Sequence, residues 1–155
     1  MNIHIRPINE HDHSFIIALA QRLDEVHYME WRHKEEMRKA QERMAREAIA
    51  TLDTDSSILI AENEDYQPLG YIHLTKNIDF FTGEEQGYIS SIAVAEEGEG
   101  KGIGTLLMKR AEEWCKEKNY KQLVLHVFAN NERAVRFYEN LEYEVEVAKM
   151  VKVIK

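Results

Sequence analysis

Residues 96–114 read EEGEGKGIGTLLMKRAEEW. Gly98, Gly100, Gly102 and Gly104 fall at alternate positions, in a chain that holds only 7 glycines. Glycine loses more conformational entropy on folding than any other residue, so such a cluster implies backbone that must adopt positive φ or lie close to something else. After it the pattern changes: Leu107, Ala111 and Trp114 recur at helical spacing. The glycines therefore open a helix, where orphaned N–H groups and the positive end of the dipole face outward. Bare amides beside a positive dipole favour an anion, most often phosphate.

The flanking segments extend the pattern. Residues 87–95 (GYISSIAVA) read as a strand, 103–118 as the helix, and 121–128 (KQLVLHVF) as the next strand. A strand–helix–strand unit from Tyr88 to Phe128 predicts a right-handed parallel crossover. Asn131 opens a short helix to about Asn140, and residues 143–154 suit one or two final strands, which would pair across a homodimer. Upstream, residues 2–8 alternate into a strand. Asp12 or Ser14 caps a helix through about Leu23, with Phe15, Ile16, Leu19 and Leu23 inward. A second helix spans about 29–52 on a stripe of Met37, Ala40, Met44, Ala48 and Leu52. Its other faces carry oppositely charged neighbours, which read as a solvated surface. SILIAE (57–62) and LGYIHLTK (69–76) form a hairpin around 63–67, and DFFTGEE (79–85) is a loop. The expected architecture is α/β (α+β): one domain over 1–155, with a mixed central sheet and helices on both faces.

Composition narrows the function. At 155 residues, 44% hydrophobic and 31% charged, the chain is an ordinary globular domain. A net charge of −8 argues against a nucleic-acid partner and suits a cationic substrate. No apolar run approaches the ~20 residues that span a bilayer, so no membrane partner is expected. The N-terminus lacks a signal-peptide core. The single cysteine, Cys115, excludes an internal disulfide and fits a reducing cytoplasm.

Two familiar phosphate loops fail. No G-K-[ST] follows the glycines, so they are not a P-loop, and neither Gly98 nor Gly100 starts G-x-G-x-x-G. What remains, IAVAEEGEGKGIGTLLMKRAEEWC followed by LVLHVFANNERAVRFYENLEY, resembles the GCN5-related N-acetyltransferase (GNAT) superfamily. The family pattern [QR]-x-x-G-x-[GA] falls on Glu99, Gly100, Lys101, Gly102, Ile103 and Gly104. Its later pattern Asn-x-x-Ala-x-x-Phe-Tyr falls on Asn131, Ala134, Phe137 and Tyr138. Glu99 departs from the family's Gln or Arg. At an effective dielectric of about 20, a carboxylate ~6 Å from a like charge costs on the order of 3 kcal/mol, with Lys101 and Lys109 as the expected offset. Glu142 replaces the glycine before the final aromatic.

The resemblance implies a GNAT fold of about six to seven strands. It also implies acetyl-CoA as co-substrate without a metal. The diphosphate would rest on Gly100, Lys101, Gly102, Ile103, Gly104 and Thr105, with Asn131 nearby. The pantetheine arm would lie along Ile92, Ala93 and Val94, and a backbone N–H there would polarise the acetyl carbonyl. The acceptor would be a small-molecule or peptide amine, acetylated directly in a ternary complex. Tyr138 would be the acid that protonates the leaving thiolate. The family's usual Glu base has no counterpart, since Gln86 and Tyr88 hold the matching positions. The candidates are His126, His73, or a water path lined by Tyr88 and Ser90. Glu30, Asp79, Glu84, Glu85, Tyr28, Trp31, Phe80 and Phe81 are the expected acceptor contacts. The alternatives are a protein N-terminal or lysine acetyltransferase and an acyl-CoA sensor with reduced chemistry.

Overall fold

The computed structural model describes residues 2–22 and 29–155. Its elements run β1 (His4–Pro7), α1 (His13–Ala20), α2 (Lys34–Ala50), β2 (Ser57–Glu62), β3 (Pro68–Ile78), β4 (Glu85–Val94), α3 (Ile103–Glu117), β5 (Leu123–Leu125) and α4 (Glu132–Asn140). The strands form one sheet in the order β1-β2-β3-β4-β5, antiparallel except for the parallel pair β4–β5. This is the mixed sheet with flanking helices that the sequence predicts, with five strands rather than six or seven. The expected strands over 143–154 do not form. Those residues carry no regular structure, and the alternation that suggests strands there leaves Val145, Val147 and Val153 exposed. The expected inward position Leu23 lies outside the described residues.

Two cores explain the strand composition. Leu59, Ile72, Leu74 and Ile89 pack with Leu107, Met108 and Trp114 of α3 on one face. Ile58, Ile60 and Tyr71 pack with Ile16 and Leu19 of α1 and Ala45 of α2 on the other. With both faces covered, β2 needs no polar alternation, and five of its six residues are buried. Each fully buried Ile or Leu contributes about 1.5–3 kcal/mol relative to exposure. Helix α2 is shorter than expected because its chain enters extended at His33. It is also rotated. Ala45 is buried, whereas Met44 and Leu52 of the expected stripe are exposed. Its ion pairs Arg38–Glu35 and Arg46–Glu42, at 3.2 and 3.0 Å, mark the solvated face.

Asp12 does not cap α1 with its side chain. Arg6 donates to both its oxygens at 2.8 and 2.9 Å, Asn9 N–H donates at 2.8 Å, and Arg6 Nε donates to Glu62 at 2.9 Å. This cluster ties β1, β2 and the start of α1 together. The turn after α4 keeps its left-handed residue at φ 71° although that residue is Glu142.

Candidate active site

Two features of β4 open a cleft. In the β3–β4 register, His73 faces Ser91 and Leu74 faces Ile89, leaving Ser90 as the extra residue of a bulge. The bulge shifts the alternation by one, so Ile89 and Ile92 both face α3. On the other edge, β5 pairs only as far as Leu125 opposite Ile89. From Ser90 to Val94 that edge of β4 has no strand beside it among the described residues. A cleft of about 410 Å³ opens there, lined by Ile92, Ala93 and Val94, the glycine loop and α4.

The glycine loop builds the floor. Gly100 and Gly102 hold φ of 75° and 73°, and no atom lies within 4 Å of where their Cβ atoms would be. An L side chain strains that backbone, so glycine is required for conformation rather than for room. Gly98 meets the opposite need: its Cβ would come within 2.8 Å of Ile103. Gly102 is the N-cap of α3 and gives it no side-chain cap. The first helical bond runs from Leu106 N–H to Gly102 O at 3.1 Å. The N–H groups of Ile103, Gly104 and Thr105 thus have no acceptor within the helix, and all three residues line the cleft.

Helix α4 forms the far wall. Asn131 caps it, accepting from Ala134 N–H at 3.3 Å, and lines the cleft together with Ala134, Phe137 and Tyr138. Tyr138 is half-buried, with its ring edge-on to Phe137 at 5.3 Å and to Tyr143 at 6.0 Å. Burial pushes its pKa above that of a free tyrosine, so the phenol stays protonated at neutral pH.

Other expected residues lie elsewhere. Lys101 and Lys109 are exposed and do not line the cleft. Tyr88 Oη and His126 Nδ1 are hydrogen-bonded at 3.0 Å with edge-on rings, outside the set of cleft-lining residues. Burial raises the Tyr88 phenol. His73 is buried opposite Ser91 on the face covered by α1 and α2, and desolvation lowers its ionisation. Phe80 and Phe81 stand exposed at the β3–β4 tip, away from the cleft, and Tyr28 lies outside the described residues.

Arg22 is a cleft-lining residue that sequence reasoning does not reach. It donates to Val94 O at 2.8 Å and forms an ion pair with Glu99. The counter-charge to Glu99 therefore comes from just past α1, not from Lys101 or Lys109. Among the described residues, no group of three or more His, Cys, Asp or Glu is placed to hold a metal. No helix there is long and apolar enough to cross a membrane.

An open strand edge leading to the N-terminus of α3 is the arrangement that the sequence resemblance predicts. A sequence model of the Acetyltransferase (GNAT) family matches residues 11–143, and the chain belongs to that family. It is similar to the uncharacterized N-acetyltransferase YdgE of Bacillus subtilis, at 29% identity over 125 residues, covering 79% of this chain and 77% of that protein. A solved Pyrococcus furiosus structure, provisionally described as an acetyl transferase, superposes with a TM-score of 0.80. Its identity is 27%, over 99% of this chain and 100% of that one. A GCN5-related N-acetyltransferase from Ralstonia eutropha shares the fold at a TM-score of 0.76 and 20% identity, over 99% of each chain. The protein is thus an acetyl-CoA-dependent N-acetyltransferase of the GNAT family.

Proposed function

We propose that the chain moves the acetyl group of acetyl-CoA directly to a primary amine of a small molecule or peptide, with both substrates bound together. The observation that carries this reading is the gathering of three elements in one cleft: the amides opening α3, the unpaired edge of β4, and Tyr138. The amides of residues 103–105 suit the donor's diphosphate. The open edge at Ile92–Val94 suits its amide-bearing arm, which would lie there as an added strand. Bound acetyl-CoA supplies the activated thioester, and the protein supplies position and electrostatics. A backbone N–H of the open edge polarises the carbonyl. Tyr138, kept neutral by burial, donates its phenolic proton to the departing sulfur. The amine must lose a proton, and since none of the expected bases Tyr88, His126 and His73 lines the cleft, the route we assign is through water.

Thiol release from acetyl-CoA over a panel of amines tests the reading. Tyr138→Phe should lower kcat roughly 10²-fold while leaving the Kd for coenzyme A nearly unchanged. Wild-type turnover by this variant would refute the acid role. Absence of release with every amine between about pH 6 and 9, with coenzyme A still bound, would favour a sensor.

A further inference from the structure

Arg22 and Glu99 are 77 positions apart in sequence and meet in the cleft beside the amides of α3. Hydrogen bonds from backbone and side chain hold Arg22. Its own N–H donates to Leu19 O at 3.0 Å, Nη1 donates to Val94 O at 2.8 Å, and Nη2 engages the Glu99 carboxylate. Both side chains are partly withdrawn from solvent, at 23% and 33% exposure. A lone carboxylate there would repel any anion brought to the helix mouth, and partial desolvation would strengthen the repulsion. A guanidinium is planar, permanently charged and carries five donors, so it serves several acceptors at once.

We propose that Arg22, held in place by Glu99, is a side-chain cation of the donor's diphosphate site, and that Glu99 is its positioning residue. The assignment rests on the acetyl-CoA reading above. The loop supplies amides, the Glu99 carboxylate and an exposed Lys101 that does not line the cleft. Arg22, just past α1, brings positive charge beside the amides, across the cleft from Arg133 of α4. The bond to Val94 O places the same guanidinium beside the open strand edge, linking the diphosphate end of the cleft to the arm.

The test compares coenzyme A with pantetheine, which shares the arm but has no phosphate, in titrations of the wild type, Arg22→Met, Arg22→Lys, Glu99→Gln and Arg22→Met/Glu99→Gln. Thermal melts establish that each variant is folded. Arg22→Met should weaken coenzyme A by about tenfold or more, with pantetheine affinity kept. Adding Glu99→Gln to that variant should recover part of the loss, because it removes a negative charge beside the helix mouth. Arg22→Lys should fall between the wild type and Arg22→Met. A purely structural Arg22 would weaken both ligands alike and would not be rescued by Glu99→Gln. Either result, or an unchanged coenzyme A affinity in Arg22→Met, overturns the proposal. A wild type that binds no coenzyme A defeats the acetyl-CoA reading itself, and this assignment with it.

Discussion

Gly87 sits where β4, β5 and α3 converge, and its replacement by alanine tests how tightly that junction is packed. An alanine Cβ would come within 2.5 Å of Cys115 Sγ, 3.2 Å of Leu123 Cδ1 and 3.2 Å of Trp114 Cζ3. Non-bonded heavy atoms prefer about 3.5–4.0 Å, so the sulfur contact is short by roughly 1 Å. The three neighbours belong to α3 and β5, and no single rotamer change relieves all of them. Overpacking of this kind costs about 1–3 kcal/mol, offset by roughly 0.4–1 kcal/mol from the stiffer unfolded chain. The net loss is about 1–2 kcal/mol, which for a domain of this size lowers Tm by roughly 2–8 °C. Urea and thermal melts measure it. Cys115→Ala in the same background removes the worst contact, and the double variant should exceed additivity by about 1 kcal/mol. Coenzyme A affinity per folded molecule should not change, since Gly87 does not line the cleft. A stabilised Gly87→Ala, or strict additivity with Cys115→Ala, would refute the packing account.

Gly102→Ala meets no steric obstacle but must hold φ at 73°. It should lose about 1–2 kcal/mol in urea melts and weaken coenzyme A, with Gly102→Asn milder in both. An alanine variant equal to the wild type would show that the loop relaxes without penalty. For Asp12, burial alone would raise the carboxyl; two bonds from Arg6 and the Asn9 N–H outweigh it, and the net shift is downward. Stability from a depressed carboxyl is present above its unfolded value near pH 4 and disappears as pH falls through the folded one. Removing one partner of a buried pair costs about 3–5 kcal/mol, and Arg6 at 20% exposure places Asp12→Asn toward the lower end at neutral pH. Urea midpoints followed below pH 4 should decline less steeply in the variant than in the wild type. Parallel declines would remove Asp12 from the acid transition.

Local signals were legible and long-range ones were not. Alternating glycines after an apolar strand and before a helical stripe define the loop because all three features are neighbours in sequence. Asn131 and Tyr138 come from the family pattern rather than from local chemistry, and both line the cleft. The bulge at Ser90 left no mark, since a one-residue slip depends on the facing strand. Asp12 resembles a cap, yet its side chain is held by Arg6 of β1 and by the Asn9 N–H. Arg22 was invisible as a site residue because nothing near position 22 points to Glu99. The buried stripe of α2 lies about one position from the one its spacing predicts, because charged residues on every side leave its apolar face weakly defined. The alternation over 143–154 has the strand period, but period alone supplies no neighbouring strand to pair with.

Cys115 has a practical consequence. It is the only thiol in the chain, lies buried, and has its ionisation pushed up to about 11 by burial and by the nearby Glu112 carboxylate. Thiolate is the reactive form toward disulfide dyes, so the folded protein contributes almost no colour of its own at assay pH. Any yellow that develops reports liberated coenzyme A, and a slow rise without substrate serves as a built-in alarm that the sample is denaturing.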